Sequence, residues 1–126
     1  MKIGVKRIDK TISLPNSAKD SIKINLISRR DVVIEPAESR LVPVNVVVDI
    51  PKNYLFLVTL SPDLAKKGLV LFGGLIVIDS ADNSKEELTL PVYNFTKERS
   101  VILQGEIAAQ GALVKSESIA FQEIKK

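Results

Sequence analysis

Along most of this chain apolar and polar residues alternate with a period near two, and Pro, Gly, Asn and Asp interrupt the pattern at short intervals. Such a period turns successive side chains to opposite faces of an extended segment, so one face can enter a core while the other meets water. The interrupting residues supply the backbone conformations of turns. Strands are therefore expected to dominate.

Residues 2–8, 21–27 and 32–34 each fit a strand with one dry face. Residues 40–50 form the clearest long strand, rich in Val and broken only at Pro43, which marks an edge or a bulge because it has no N–H to donate. A turn at 49–53 leads into a strand at 54–60. Residues 61–68 carry the one helical signal. Ser61 can cap, Pro62 suits the first helical position, Asp63 favours the positive end of the dipole, and Gly68 can close the helix in the left-handed conformation.

Residues 69–79 are almost continuously apolar around Gly73-Gly74, which predicts a strand buried on both faces, with the glycines at a bulge or at a close backbone approach. A polar hairpin loop is expected at 80–85, strands at 87–95, 100–104 and 107–114, and a weak strand pattern at 118–121. Many short strands and one short helix suggest a closed or nearly closed antiparallel barrel, or a jelly-roll-like pair of sheets.

A length of 126 residues with 45% apolar composition suits one domain spanning 1–126, with a core that requires no disulfide or structural metal. The net charge of +3 is mild, and acidic and basic residues are interleaved. The pairs Arg29-Arg30, Lys66-Lys67 and Lys125-Lys126 are isolated, so nucleic-acid binding is not expected. With no Cys and no His, thiol chemistry, the usual general base and the commonest metal ligand are absent. Any chemistry must run on carboxylates, hydroxyls, Lys or Arg. The opening residues alternate and carry charge, and no apolar run approaches the roughly 18 residues of a membrane span, so a soluble cytoplasmic protein is expected.

The order of short segments resembles the trimeric dUTPase family from Met1 to about Val114. Met1-Lys2-Ile3, Lys6-Arg7 and Leu14-Pro15 ahead of Ala18 resemble that family's first strand and lead-in. Residues 21–26 stand where the family has Ser-Ala-Gly-Tyr-Asp-Leu. Val33-Ile34-Glu35-Pro36 with Leu41-Val42-Pro43, and then Ile50-Pro51-Lys52-Asn53-Tyr54, resemble its strand pair and its Ile-Pro-x-Gly-Tyr turn. Residues 60–65 occupy the place of its Pro-Arg-Ser-Gly-Leu-Ala motif, and Gly73-Gly74 with Ile78-Asp79 the place of its Gly-rich approach and Ile-Asp pair. Asn94 matches an asparagine further along, and residues 105–110 resemble Gly-Asp-Arg-Ile-Ala-Gln. The resemblance implies a distorted β-barrel or jelly roll and a homotrimer whose sites lie between subunits.

It also implies an inherited cleft at Asn25, Ser61, Gly73, Gly74, Asp82 and Gln110, with Asp79 as the water-activating carboxylate if the chain is active. The family's reaction needs a base, a metal such as magnesium on the triphosphate, cationic and hydroxyl groups on the phosphates, and a ring stacked on deoxyribose. Asp79 is retained. The stacking Tyr is replaced by Asp82 and the Arg-Gly after it by Asn83-Ser84. The first motif's Asp is Asn25, a poorer ligand for a hard cation. The second motif's Arg and Ser fall on Ser61 and Pro62, and the fourth motif's Arg falls on Ile107. Residues 119–126 carry Phe121 but no Gly-rich arm with Arg. Lys66 and Lys67 replace the lost positive charge only in part. Acidic residues Asp79, Asp82, Glu86 and Glu87 fit a solvated loop better than a metal site.

These losses predict a non-catalytic trimer acting as a structural or protein-interaction module, in a viral or phage setting, located in the cytoplasm or in a virion. The competing expectation is a divergent enzyme with Asp79 as base. A nucleotide binder that does not cleave would use the Gly73-Gly74 backbone to hold a base.

Overall fold

The computed structural model describes residues 1–17, 21–83 and 85–125. Twelve strands are present among them: β1 Gly4–Arg7, β2 Asn16–Ser17, β3 Ile24–Ile27, β4 Val32–Ile34, β5 Ser39–Pro43, β6 Val46–Asp49, β7 Tyr54–Leu60, β8 Leu69–Leu71, β9 Ile76–Ile78, β10 Thr89–Asn94, β11 Ser100–Ile102 and β12 Ile107–Lys115. A single α-helix, α1, spans Pro62–Lys66. All pairings are antiparallel. They form a five-stranded sheet in the order β2-β3-β12-β7-β9, a three-stranded sheet β5-β10-β8, and the pairs β1-β6 and β11-β4. The result is an all-β jelly roll with one short helix, and among the described residues the sheets do not join into a closed barrel.

The inner faces carry the alternating residues. In β10, Leu90, Val92 and Asn94 are buried while Thr89, Pro91 and Tyr93 are partly exposed. Leu26, Ile34, Val42, Val58 and Ile102 join Leu90 and Val92 in one hydrophobic cluster. Asn94, buried in that apolar setting, has all its polar capacity engaged: its amide nitrogen donates to the Ile34 and Glu98 carbonyls, and its oxygen accepts from the Thr96 N–H and hydroxyl.

Several expectations need correction. Residues 40–50 are two strands in different sheets, and the break falls at Asn45 rather than at Pro43, which ends β5 opposite Thr89. Asn45 is buried with φ of +72°, a conformation that Asn tolerates better than most residues. Its N–H donates to Glu87 Oε2 at 2.8 Å, and its side chain exchanges hydrogen bonds with the Asp9 backbone. Glu87 accepts in turn from Arg29 Nε at 2.7 Å and from Arg29 Nη2 at 3.0 Å.

Residues 69–79 are also not one buried strand. β8 and β9 belong to different sheets, and the turn between them needs φ of +82° at Gly73 and +73° at Gly74, with the Gly74 N–H bonded to the Leu71 carbonyl. No atom crowds Gly74, so backbone conformation, not close approach, accounts for it. Val70, Phe72, Leu75 and Val77 are exposed. β9 and β10 lie in different sheets and so form no hairpin, and residue 84 of the loop expected at 80–85 lies outside the described residues. Residues 118–121 form no strand.

The helix is close to expectation at Pro62 and at Gly68, whose φ is +84°. Ser61, however, makes no side-chain cap: it is buried, its N–H bonds to the Ala108 carbonyl, and its own carbonyl accepts from Ala65.

Candidate functional site

Sheet register decides which of the candidate residues meet. Gln110 on β12 stands opposite Asn25 on β3 and opposite Thr59 on β7. The Gln110 amide donates to Asn25 Oδ1 at 3.2 Å. Just beyond this row Ser61 is tied to Ala108, and Ser28 exchanges backbone hydrogen bonds with Gly105 and Glu106. Asn25, Ser61 and Gln110 are therefore gathered at one end of the five-stranded sheet, beside the start of α1. The groups presented there are mostly uncharged: an amide pair, the exposed ring of Pro62, and Ile107. The Ser61 side chain is buried beneath them. Lys67 Nζ lies 3.4 Å from Glu106 Oε2, which offsets its charge, and the other Glu106 oxygen accepts from the Leu103 N–H.

Asp79 and Asp82 lie elsewhere. Ile78 is opposite Phe56, so Asp79 is level with Leu55, four residues along β7 from Thr59 and thus about 13 Å away along the strand. Ile76 is opposite Val58, so the Gly73-Gly74 turn lies toward the Thr59 end. The fold therefore separates Asp79 and Asp82 from Asn25, Ser61 and Gln110.

The loop after β9 is closed on itself. Asp79 caps a 3-10 turn over Ser80–Asp82 by accepting from the Ala81 N–H at 2.9 Å, and Asp82 Oδ2 accepts from the Asp79 N–H at 3.0 Å. This reciprocal arrangement is a capping box. Next to it the Asn83 side chain accepts from the Ile50 N–H and donates to the Ile50 carbonyl and Asp49 Oδ1. Glu87 faces Arg29, and among the described residues no three carboxylates come together. Asn25 offers a neutral oxygen already accepting a hydrogen bond, and Asp79 and Asp82 each commit one carboxylate oxygen to backbone, a poorer set for a hard cation than clustered free carboxylates. Thr59, exposed on the Gln110 row, drew no attention in the sequence, because its position on that row depends on strand pairing.

The antiparallel jelly roll thus gathers residues 25, 61 and 110 at one end of its large sheet and sets residue 79 apart from them. The family model for dUTPase matches residues 9–126, and the chain belongs to the dUTPase family. It is 29% identical over 99 residues, 78% of this chain and 68% of the relative, to the deoxyuridine 5'-triphosphate nucleotidohydrolase of Finegoldia magna. It is 26% identical over 129 residues, 98% of this chain and 87% of the relative, to the enzyme of that name from Clostridium kluyveri. Among solved structures, the dUTPase of Staphylococcus bacteriophage 80alpha superposes with a TM-score of 0.86 at 20% identity, covering 99% of this chain and 97% of the phage chain; it is described among phage dUTPases that control transfer of virulence genes by a G protein-like mechanism.

Proposed function

We propose that this chain is a dUTPase-fold homotrimer that has lost dUTP hydrolysis and serves as a structural or protein-interaction module, in the cytoplasm of a phage-bearing cell or in a virion. The observation that carries this is the closed loop at 79–83. Asp82, at the position of the family's stacking ring, turns its carboxylate onto the Asp79 backbone, and Asn83, at the position of an Arg, is bound to the end of β6 and to Ile50. Neither can stack on deoxyribose or neutralise a phosphate, and a carboxylate at this place repels one. The phage 80alpha dUTPase, described as controlling transfer of virulence genes by a G protein-like mechanism, supports a role other than dUTP hydrolysis.

The second reading is a divergent dUTP diphosphatase using magnesium and Asp79 as base, favoured by the enzyme names of the two bacterial relatives. Pyrophosphate release from dUTP, with dCTP and dTTP alongside, separates the two. The protein and its Asp79→Ala variant are expected to be equally inactive with magnesium at high protein concentration. Turnover that the substitution abolishes would establish the enzyme.

A further inference from the structure

We infer that the apolar cavity between the β1-β6 ribbon and the large sheet binds a free medium-chain carboxylate, with its hydrocarbon tail inside and its charged head among the lysines at the rim. This goes beyond the reading above and stands whether or not the chain cleaves dUTP. The cavity measures about 240 Å³, and every side chain lining it is apolar. Val5 and Val48 stand opposite each other in the ribbon, Ile24 and Leu26 come from β3, Phe56 from β7, and Ile50 from the stretch joining β6 to β7. Ile24 and Leu26 share one face of β3 and Asn25 takes the other, so the cavity is separate from the Asn25–Gln110 pair.

The walls are already in place. The Phe56 ring lies against Gly111 of β12, where a Cβ would collide with it, and Leu26, Ile50 and Phe56 are all buried. Such a cavity gives water no hydrogen-bond partner, and an apolar molecule that fills it supplies the contacts its walls lack. On the scale by which a cavity of about 150 Å³ admits one benzene ring, 240 Å³ admits on the order of ten carbon atoms, enough for one short chain and too little for a two-chained lipid. Met1 lines the cavity while remaining 78% exposed, so the mouth lies beside the N-terminal segment.

Positive charge surrounds that mouth. Lys2 lies between Met1 and Ile3, Lys6 follows Val5, Lys23 precedes Ile24, and Lys52 comes two residues after Ile50; all four are exposed. Among the described residues none of the four is in an ion pair. The one carboxylate next in sequence to a lining residue is Asp49, which already accepts from the Asn83 amide. A lysine lays its stem along apolar surface and keeps its ammonium in water, which is the arrangement that receives an anionic head at the opening of an apolar cavity. Charge complementarity therefore selects a carboxylate over an alcohol of the same length.

Titration calorimetry of the intact protein at neutral pH with octanoate, and with 1-octanol as the uncharged probe, tests the assignment. One octanoate is expected to bind per chain, and 1-octanol to bind about tenfold more weakly. The joint replacement Lys2→Gln, Lys23→Gln and Lys52→Gln is expected to bring octanoate down to the affinity of 1-octanol and to leave 1-octanol unchanged. Ile3→Trp, which puts a ring into the mouth, is expected to weaken both probes at least about tenfold. Absence of one-to-one saturation, equal affinity for the two probes, or octanoate binding unchanged in either variant would overturn the assignment. So would binding that appears only in Phe121→Ser, which would put the chain's own tail in the cavity. Retention on phosphatidylglycerol vesicles without saturation by octanoate would place a lipid surface there instead and overturn it too. Turnover of dUTP by the same samples bears on the function proposed above and not on this cavity.

Discussion

At the scale of single residues, the protein's polar side chains are largely committed to holding backbone in place. Asp9 is held below the usual carboxylate range by the Thr11 hydroxyl and N–H. The Arg99 guanidinium does the same for Glu35, and the Glu35 backbone N–H followed by Arg40 does so for Glu38. Each carboxyl has a lower pKa folded than unfolded, so its contribution is present above the unfolded value and disappears as pH falls through the folded one. Urea midpoints are therefore expected to be level from about pH 7 down to about pH 5 and to fall below about pH 4, with a shallower fall in Glu35→Gln. The residues of the site were only partly legible. Asn25, Ser61 and Gln110 could be placed because their motifs keep family order, and the register brings them to one end of a sheet. The fate of Asp82 could not be read, because whether a carboxylate meets phosphate or its own backbone depends on the turn that follows β9.

The elements show the same division. Strand existence followed from alternation, and nearly every expected strand is present, but sheet changes inside apolar runs were invisible. Val42-Pro43-Val44-Asn45-Val46 has no polar interruption except Asn45, and only the left-handed backbone there, locked by Glu87 and Asp9, sends the chain into another sheet. At Gly73-Gly74 the sequence predicts a bulge or a close backbone approach inside one strand, whereas the chain makes a turn there between two sheets. Glycines differ in what they tolerate. Gly68 combines φ of +84° with a Thr96 methyl in the space a Cβ would take, whereas Gly74 has a similar φ and open space. Gly68→Ala is expected to cost roughly 2–3 kcal/mol and Gly74→Ala about 1 kcal/mol in urea denaturation, because the first adds a collision to the conformational strain shared by both.

At the scale of the molecule, the expected all-β jelly roll with one short helix is what the chain forms, since composition and period constrain architecture more strongly than they constrain connectivity. The dUTPase resemblance was legible for the same reason, as it rested on the order of many scaffold segments. One feature of the large sheet bears on how it comes into being. Its central strand, β12, lies between β3 and β7, and the Asn25–Gln110 contact joins residues 85 positions apart. A sheet of such distant partners must close its loops before it gains its bonds, so refolding is expected on the millisecond-to-second scale, and a fragment of residues 1–106 should show no cooperative unfolding by circular dichroism. During synthesis β3 and β7 are made well before the strand that separates them. Until residue 115 has left the ribosome each presents a bare edge to solvent, and a chain built this way depends on how well those edges are shielded while it waits.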